Sequence, residues 1–314
     1  MLKKWLNRLL ESRLVKLPIA FAKNIKPWGF EGLSLFAVAR FFIEGMQKGA
    51  VSTRAAAISF QILMAIFPFL IMLLSLLPMI PISDFQSNLF DSIRGFFPGD
   101  TFSLVEETIA DLLTKSHSTV FSIGFVLSLF YASNSVNAIM QGFNASYNLG
   151  DKGNPMVLRL VSVVLMIVLS LFMIISVALI IFSGMVFDKL IELNILSEDL
   201  VFLLSIAKWL ITVFLMYGSI TILYNMGDFK NTKWKTFSAG AIVTTVLYII
   251  TSLLFAWFVN NFATYNKLYG SLGTILLLMI WVNLNSVILL IGFELNTSIS
   301  KAKLDAKLMK ELNE

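Results

Sequence analysis

Residues 160–187 read LVSVVLMIVLSLFMIISVALIIFSGMVF, an uninterrupted stretch of 28 residues without a charged side chain. About 20 apolar residues are enough for an α-helix to cross the roughly 30 Å hydrocarbon core of a bilayer. Five further stretches have comparable length and composition: residues 55–80, 119–147, 200–225, 237–262 and 268–299. These stretches are too long for barrel strands, whereas a helix satisfies its own backbone hydrogen bonds in lipid. The sequence therefore predicts an all-α, polytopic membrane protein with six transmembrane helices.

The overall composition supports a membrane protein and excludes several classes of enzyme. Of the 314 residues, 57% are hydrophobic and 14% are charged, whereas soluble domains contain about 25% charged residues. The chain has no cysteine and one histidine, His117, which excludes disulfides, cysteine nucleophiles and zinc sites built from thiolates or several histidines. Glycines do not have the spacing of a phosphate-binding loop. We therefore expect no catalytic residues, no metal and no cofactor, so any transport would be passive or coupled to an ion.

Lysine and arginine residues are distributed unequally between the two sides of the predicted spans. Nineteen belong to the two terminal segments and to the second and fourth connections, while the opposite side has four, namely Arg94, Lys115, Lys189 and Lys267. Because basic residues accumulate on the cytoplasmic side of membrane proteins, both termini are predicted to be cytoplasmic. The net charge of +5 is then explained by this topology and by contact with anionic lipid headgroups. It does not indicate a nucleic-acid partner.

The six spans are predicted to form one membrane domain of residues 54–300, which includes an outer loop and lies between two terminal segments. Residues 1–53 contain a basic amphipathic stretch and a second apolar stretch, and both are expected to form interfacial helices. Residues 81–118 form the outer loop, in which Ser83 with Gln86 and Ser103 with Glu106 resemble capping boxes of two short helices. Residues 301–314 are expected to form a cytoplasmic tail.

A stripe of amide side chains follows one face of the second predicted span. Its members are spaced alternately by three and four residues: Asn134, Asn137, Gln141, Asn144 and Asn148. Amides in lipid need partners or water, so the stripe is expected to face the bundle interior. One interpretation is the wall of a substrate groove that is open to the cytoplasm and also includes Asn283 and Glu294 of the sixth span. The other interpretation is hydrogen bonding between packed helices.

Charged residues and a proline within the spans provide two further hypotheses. Glu294 lies in a nearly uncharged span, and Arg54 begins the first span at a matching depth, which predicts an ion pair between them. The alternative is that lipid phosphate holds the arginine while interfacial water hydrates the glutamate. Pro68 lies in the middle of the first span and is expected to bend it. Such a bend is a candidate hinge, although membrane helices also tolerate proline without motion.

Three groups of residues have the pattern of a known family. They are RAAAISF at 54–60 with Phe67-Pro68, Tyr131-Ala132-Ser133 with Asn144 and Tyr147, and YGSLG at 269–273 with Trp281 and GFELN at 292–296. Together they resemble the YihY/BrkB family of bacterial inner-membrane proteins. The resemblance implies six spans and a location in the bacterial cytoplasmic (inner) membrane. It also brings an older label, ribonuclease BN, but the sequence has no cluster of histidine or carboxylate ligands on its inner side for metal-dependent nuclease chemistry.

These observations lead to one preferred functional hypothesis and one alternative. The preferred hypothesis is a transport protein or a lipid translocase of the cell envelope that moves an amphiphile through the polar groove. The alternative is a scaffold for envelope assembly that transports nothing. The expected partners are membrane lipids and an unidentified amphiphilic substrate, and a homo-oligomer is also possible.

Overall fold

The structure is a computed structural model that describes residues 24–27, 29–76, 118–146, 154–192, 198–227, 234–261 and 271–312. These residues form seven α-helices and no strand. The helices are α1 (Leu35–Lys48), α2 (Val51–Leu76), α3 (Ser118–Asn144), α4 (Pro155–Glu192), α5 (Glu198–Gly227), α6 (Ala239–Asn261) and α7 (Ser271–Glu311). Helices α2 to α7 each contain a stretch that is long and apolar enough to cross a membrane. The predicted all-α fold with six membrane helices is therefore confirmed.

The six long helices form a closed ring. Each of them packs against the next in chain order, and α7 completes the ring by packing against α2. Further contacts join α3 to α5 and α3 to α7 across the ring, and α1 packs outside the ring on α7. Large apolar side chains such as Leu160, Phe214 and Leu253 are exposed on the outer surface, as expected for helices that face lipid.

Helices α6 and α7 cross closely because two glycines meet at the crossing. A Cβ atom on Gly240 would collide with the carbonyl oxygen of Gly292, and one on Gly292 would collide with the hydroxyl of Thr244. Asn296 strengthens the crossing, because its Oδ1 accepts from the backbone N–H of Gly240 at 2.8 Å and its Nδ2 donates to Ser238 Oγ at 3.1 Å. Small residues and interhelical hydrogen bonds are the usual means of joining helices in membranes.

Helix α7 is longer than the predicted sixth span and includes most of the predicted tail. Its 41 residues correspond to about 60 Å at 1.5 Å per residue, twice the thickness of the hydrocarbon core. Helix α7 is therefore longer than a span requires, and Ile299 and Ala302, near the end of the predicted span, pack with Val38 of α1. Helix α1 is too short to span a bilayer, and its interfacial position stays a prediction.

Other predictions concern residues that the structure does not describe. The amphipathic stretch within residues 1–23, the outer-loop helices within residues 81–117 and the side chain of Asn148 all lie outside the described residues. Pro68 lies inside the continuous helix α2, and its role as a hinge stays a prediction.

Candidate functional site: a polar groove and a buried ion pair

A groove of about 560 Å³ separates the end of α3 from the beginning of α4. Its lining combines three members of the predicted stripe with the first turns of the next helix: Asn137, Gln141, Asn144, Ala145, Pro155, Leu158 and Arg159. Helix α4 begins here because Pro155 occupies its first position and the side chain of Asn154 accepts from the N–H of Met156 at 2.9 Å. This capped start fixes where Arg159 emerges, one turn into the helix.

Arg159 supplies a positive charge to the groove. Its Nη1 donates to Asn134 Oδ1 at 2.8 Å, and both residues are half-buried. A guanidinium has five N–H donors in a planar fork, so the bond to Asn134 orients the group while using one of them. A half-buried guanidinium beside amide side chains is suited to binding a phosphate or a carboxylate.

The groove faces α4 and not the centre of the ring. The face of α3 that points into the protein core is formed by Met140 and Phe143, which are fully buried. Gln141 is exposed, and Asn137 and Asn144 are half-buried. The prediction that the stripe faces the bundle interior is therefore wrong for Gln141. Angular spacing identified which side chains share a face of the helix, but it did not identify the direction of that face.

The other two residues assigned to the groove lie elsewhere. Asn283 of α7 donates to Ser59 Oγ of α2 at 3.3 Å, and Glu294 lies at a separate site against Arg54. The predicted set of groove residues is thus divided, with Asn137, Gln141 and Asn144 lining the groove and Asn134 holding its arginine.

Arg54 and Glu294 form the buried ion pair. Arg54 Nη2 lies 2.5 Å from Glu294 Oε1, and the side chains are 9% and 0% exposed, respectively. Arg54 Nη1 donates to the carbonyl of Gly142 at 2.7 Å, and Ser146 Oγ donates to Glu294 Oε2 at 2.9 Å. The structure thus brings the two residues together without lipid between them. Because these groups belong to α2, α7 and the end of α3, the pair joins three segments of the chain.

Gly49 packs directly against this pair. A Cβ atom at Gly49 would lie 2.9 Å from Arg54 Nη2 and 3.3 Å from Glu294 Oε1, so the turn between α1 and α2 can approach the charges closely. Arg54 Nε is buried and has no hydrogen-bond partner among the described residues. Sequence reasoning found the two charges but missed Ser146, Gly142 and Gly49, because their roles depend on contacts between distant segments.

An aromatic cluster lies beside the ion pair and was also missed. The rings of Phe143 and Phe293 stack with centroids 4.1 Å apart, and Tyr224 contacts both rings edge-on at 5.6 and 5.8 Å. The hydroxyl of Tyr224 donates to the carbonyl of Leu289 at 2.7 Å. The aromatic cluster, defined as Phe143, Tyr224 and Phe293, is buried and lies next to Gly142 and Glu294, which bind Arg54.

A third charged cluster lies outside the membrane-spanning segments. The Glu31 carboxylate accepts hydrogen bonds from Lys235, at 2.7 Å, and from Lys303. Partial burial by itself raises the pKa of this carboxyl, but the hydrogen bonds and charges of the two lysines outweigh it, so the pKa of Glu31 is lower than its ordinary value. Through Glu31, the cluster joins the segment before α1 to Lys235, in the segment before α6, and to Lys303 in the last part of α7.

Comparison with known proteins identifies the family. The family model described as virulence factor BrkB matches residues 42–313. This chain belongs to the BrkB family. The BrkB match includes the groove, both partners of the ion pair and the aromatic cluster.

Individual relatives of this BrkB-family protein match most of its length. The Bacillus subtilis protein named ribonuclease-like protein YfkH is 29% identical over 80% of this chain and 90% of its own. A UPF0761 membrane protein of Haemophilus influenzae is 20% identical over 86% of this chain and 97% of its own. A UPF0761 membrane protein of Vibrio campbellii is 24% identical over 83% of this chain and 82% of its own. No solved structure matches the chain.

Proposed function

We propose that this BrkB-family protein transports an amphiphile with an anionic headgroup across the bacterial inner membrane. The headgroup binds in the groove between α3 and α4, while the apolar part stays in the surrounding lipid. The observation that carries the proposal is the position of Arg159 and three amides in an open groove of about 560 Å³ next to apolar helix surface. The predicted topology places this groove on the cytoplasmic side.

The groove combines the two environments that an amphiphile requires. Met156, Val157 and Leu160 lie next to the groove residues in the chain and are exposed, so lipid-facing apolar surface begins where the polar lining ends. Arg159 and the amides offer hydrogen bonds and one positive charge to a headgroup. A molecule with both characters satisfies both surfaces at once, whereas a small hydrophilic solute would leave the apolar rim without a partner.

The first experiment tests whether the groove contains water. Because the chain has no cysteine, single substitutions Asn137→Cys, Gln141→Cys and Asn144→Cys can each be labelled selectively in intact vesicles. A membrane-impermeant thiol reagent is expected to modify all three from the cytoplasmic side. Leu160→Cys serves as the control, because its exposed side chain should face lipid and resist the reagent. Protection of all three groove positions would refute an open aqueous groove.

The second experiment tests transport itself. The purified protein is reconstituted in vesicles that contain fluorescent phosphatidylglycerol, and movement between leaflets is followed by quenching of the outer leaflet. A hydrogen bond to a charged group contributes about 1.5–3 kcal/mol, so Arg159→Gln is expected to slow movement by about 10- to 100-fold, since 1.4 kcal/mol is a factor of ten. Arg159→Lys should retain more activity, and Lys307→Gln is the control because that lysine is exposed and does not line the groove.

A scaffold without transport is the second candidate function. The hydrogen bond between Arg159 and Asn134 favours it, because this contact also serves to hold α3 against α4. The two candidates predict different results in the vesicle experiment. A scaffold shows no leaflet exchange above that of empty vesicles, and Arg159→Gln then lowers only the stability of the protein.

A further inference from the structure

A second cavity lies in the middle of the ring, separate from the groove. It has a volume of about 570 Å³ and is lined by side chains from all six spanning helices. One representative of each helix, in order from α2 to α7, is Ile62, Ile139, Phe172, Met216, Tyr248 and Leu289. The cavity is open to its surroundings, and its volume is several times the roughly 150 Å³ that accommodates benzene in an engineered apolar cavity.

The hydroxyl and amide side chains of the lining are hydrogen-bonded to the main chain. Each donates a hydrogen bond to a main-chain carbonyl at 2.8–3.1 Å: Ser176, Thr212, Ser219, Tyr248, Asn285 and Ser286. A buried water needs two to four polar partners. Because these donors are already used within the helices, the cavity offers little to water and presents a mainly apolar wall.

Toward the ion pair, the lining of the cavity is followed by the aromatic cluster. Leu223 and Leu289 belong to its lining. Tyr224, the next residue of α5, and Phe293, one turn further along α7, belong to the aromatic cluster. Phe143 and Phe293 are at most 1% exposed. This floor separates the apolar cavity from the charges of Arg54 and Glu294.

We propose that the ring cavity binds an acyl chain of a membrane lipid. The six helices place it within the hydrocarbon depth of the bilayer, where acyl chains are the most abundant apolar molecules. A mainly apolar wall, a volume sufficient for a chain and aromatic rings at one end are the features such a ligand requires. The ring cavity is distinct from the groove of the proposed function, and it binds the acyl chain whether or not the protein transports anything.

The test uses the full chain in vesicles of phosphatidylethanolamine and phosphatidylglycerol. One arm contains a phospholipid with a diazirine at the end of one acyl chain, and the other contains a free fatty acid with the same group. After irradiation, adducts are mapped by mass spectrometry. We expect adducts on cavity residues of α5 such as Met216, in addition to those on its exposed residue Phe214. The arm that labels the cavity identifies whether the chain comes from a phospholipid or a free fatty acid.

A pair of tryptophan substitutions makes the result decisive. Ser219→Trp fills the cavity and should reduce adducts on Met216 at least tenfold, while adducts on Phe214 persist. Leu210→Trp, on the exposed surface of the same helix, should change neither. Ser176→Phe fills the cavity from α4 and replaces Ser219→Trp if that variant fails to fold by size-exclusion chromatography. Absence of cavity adducts in both arms, or adducts that persist in the filled variant, would overturn the inference without affecting the leaflet-exchange result.

Discussion

Replacing Glu294 by glutamine is expected to lower the free energy of unfolding by about 3–5 kcal/mol, the typical cost of removing one partner from a buried ion pair. Such a loss of stability exceeds that of most single substitutions, which cost about 0.5–3 kcal/mol, and the burial of the pair is the reason. Glu294 is 0% exposed and its partner Arg54 is 9% exposed, so water cannot replace the lost carboxylate. The arginine keeps its bond to the carbonyl of Gly142, but its charge stays buried without a counterion.

A double-mutant cycle separates the interaction energy between Arg54 and Glu294 from the contribution that each residue makes by itself. Arg54→Met should also destabilise strongly, because it leaves the carboxylate with the hydroxyl of Ser146 as its described donor. The double variant Arg54→Met/Glu294→Gln should lose less stability than the sum of the single variants. Residues in direct contact show coupling of about 0.5–3 kcal/mol, and a buried charge pair at 2.5 Å is expected near the upper end.

Unfolding can be measured on the full chain by titrating mixed micelles of a nonionic detergent with sodium dodecyl sulfate. Helix content by circular dichroism provides the signal. The matched control is Glu44→Gln, which breaks an exposed pair with Lys48 that lies within one helix and should change stability by less than about 1 kcal/mol. If Glu294→Gln costs no more than Glu44→Gln, or if the cycle is additive, the buried pair does not stabilise this fold as argued.

Two further substitutions test other parts of the structure in the same unfolding measurement. Gly292→Ala should destabilise by about 1–3 kcal/mol through overpacking, because its Cβ would collide with Thr244. Gly218→Ala should cost less, because its Cβ would lie 3.3 Å from the nearest atom, in the ring of Phe172. Equal effects of the two substitutions would argue against the close crossing of α6 and α7. Glu31→Gln should cost at most about 1 kcal/mol at neutral pH. Since the folded pKa of Glu31 is lowered, its contribution is present above the ordinary carboxyl pKa and is lost as pH falls through the folded pKa. The stabilities of wild type and Glu31→Gln should therefore converge at acidic pH, and a pH-independent difference between them would contradict this role of Glu31.

The membrane helices were predictable because the signal for them is local. Twenty apolar residues in sequence are sufficient to identify a span, and no knowledge of neighbouring helices is needed. Helix α7 illustrates the limit of this reasoning, because the apolar stretch ends near Ile299 while the helix continues to Glu311. The charged continuation contains no glycine or proline, so nothing in it ends the helix, and α1 packs against its beginning.

The candidate site was predictable only in part, because it depends on which helix faces which. The spacing of Asn137, Gln141 and Asn144 placed them on one face of α3. That face does not point into the core, because the fully buried residues Met140 and Phe143 occupy the core-facing side of the helix. Apolar residues with the same spacing occur on several faces of a membrane helix, so the sequence alone does not distinguish the face that packs from the face that meets lipid. Opposite charge at matched depth was a stronger signal, and it located the ion pair.

The same turn of α7 contributes to the ion pair, the aromatic floor and the helix crossing, and this restricts how the ring can open. Phe293 and Glu294 are consecutive, so a motion of α7 that withdraws Phe293 from the aromatic cluster also displaces Glu294 from Arg54. A Cβ atom on the preceding residue, Gly292, would collide with Thr244, so α6 packs directly on the backbone of this turn. Communication between the ring cavity and the Arg54 end therefore requires the buried pair to separate or to move as a unit with α2. Because separation leaves two poorly solvated charges, the fold favours the closed floor, and a rigid movement of α2 with α7 is the less costly way to open it.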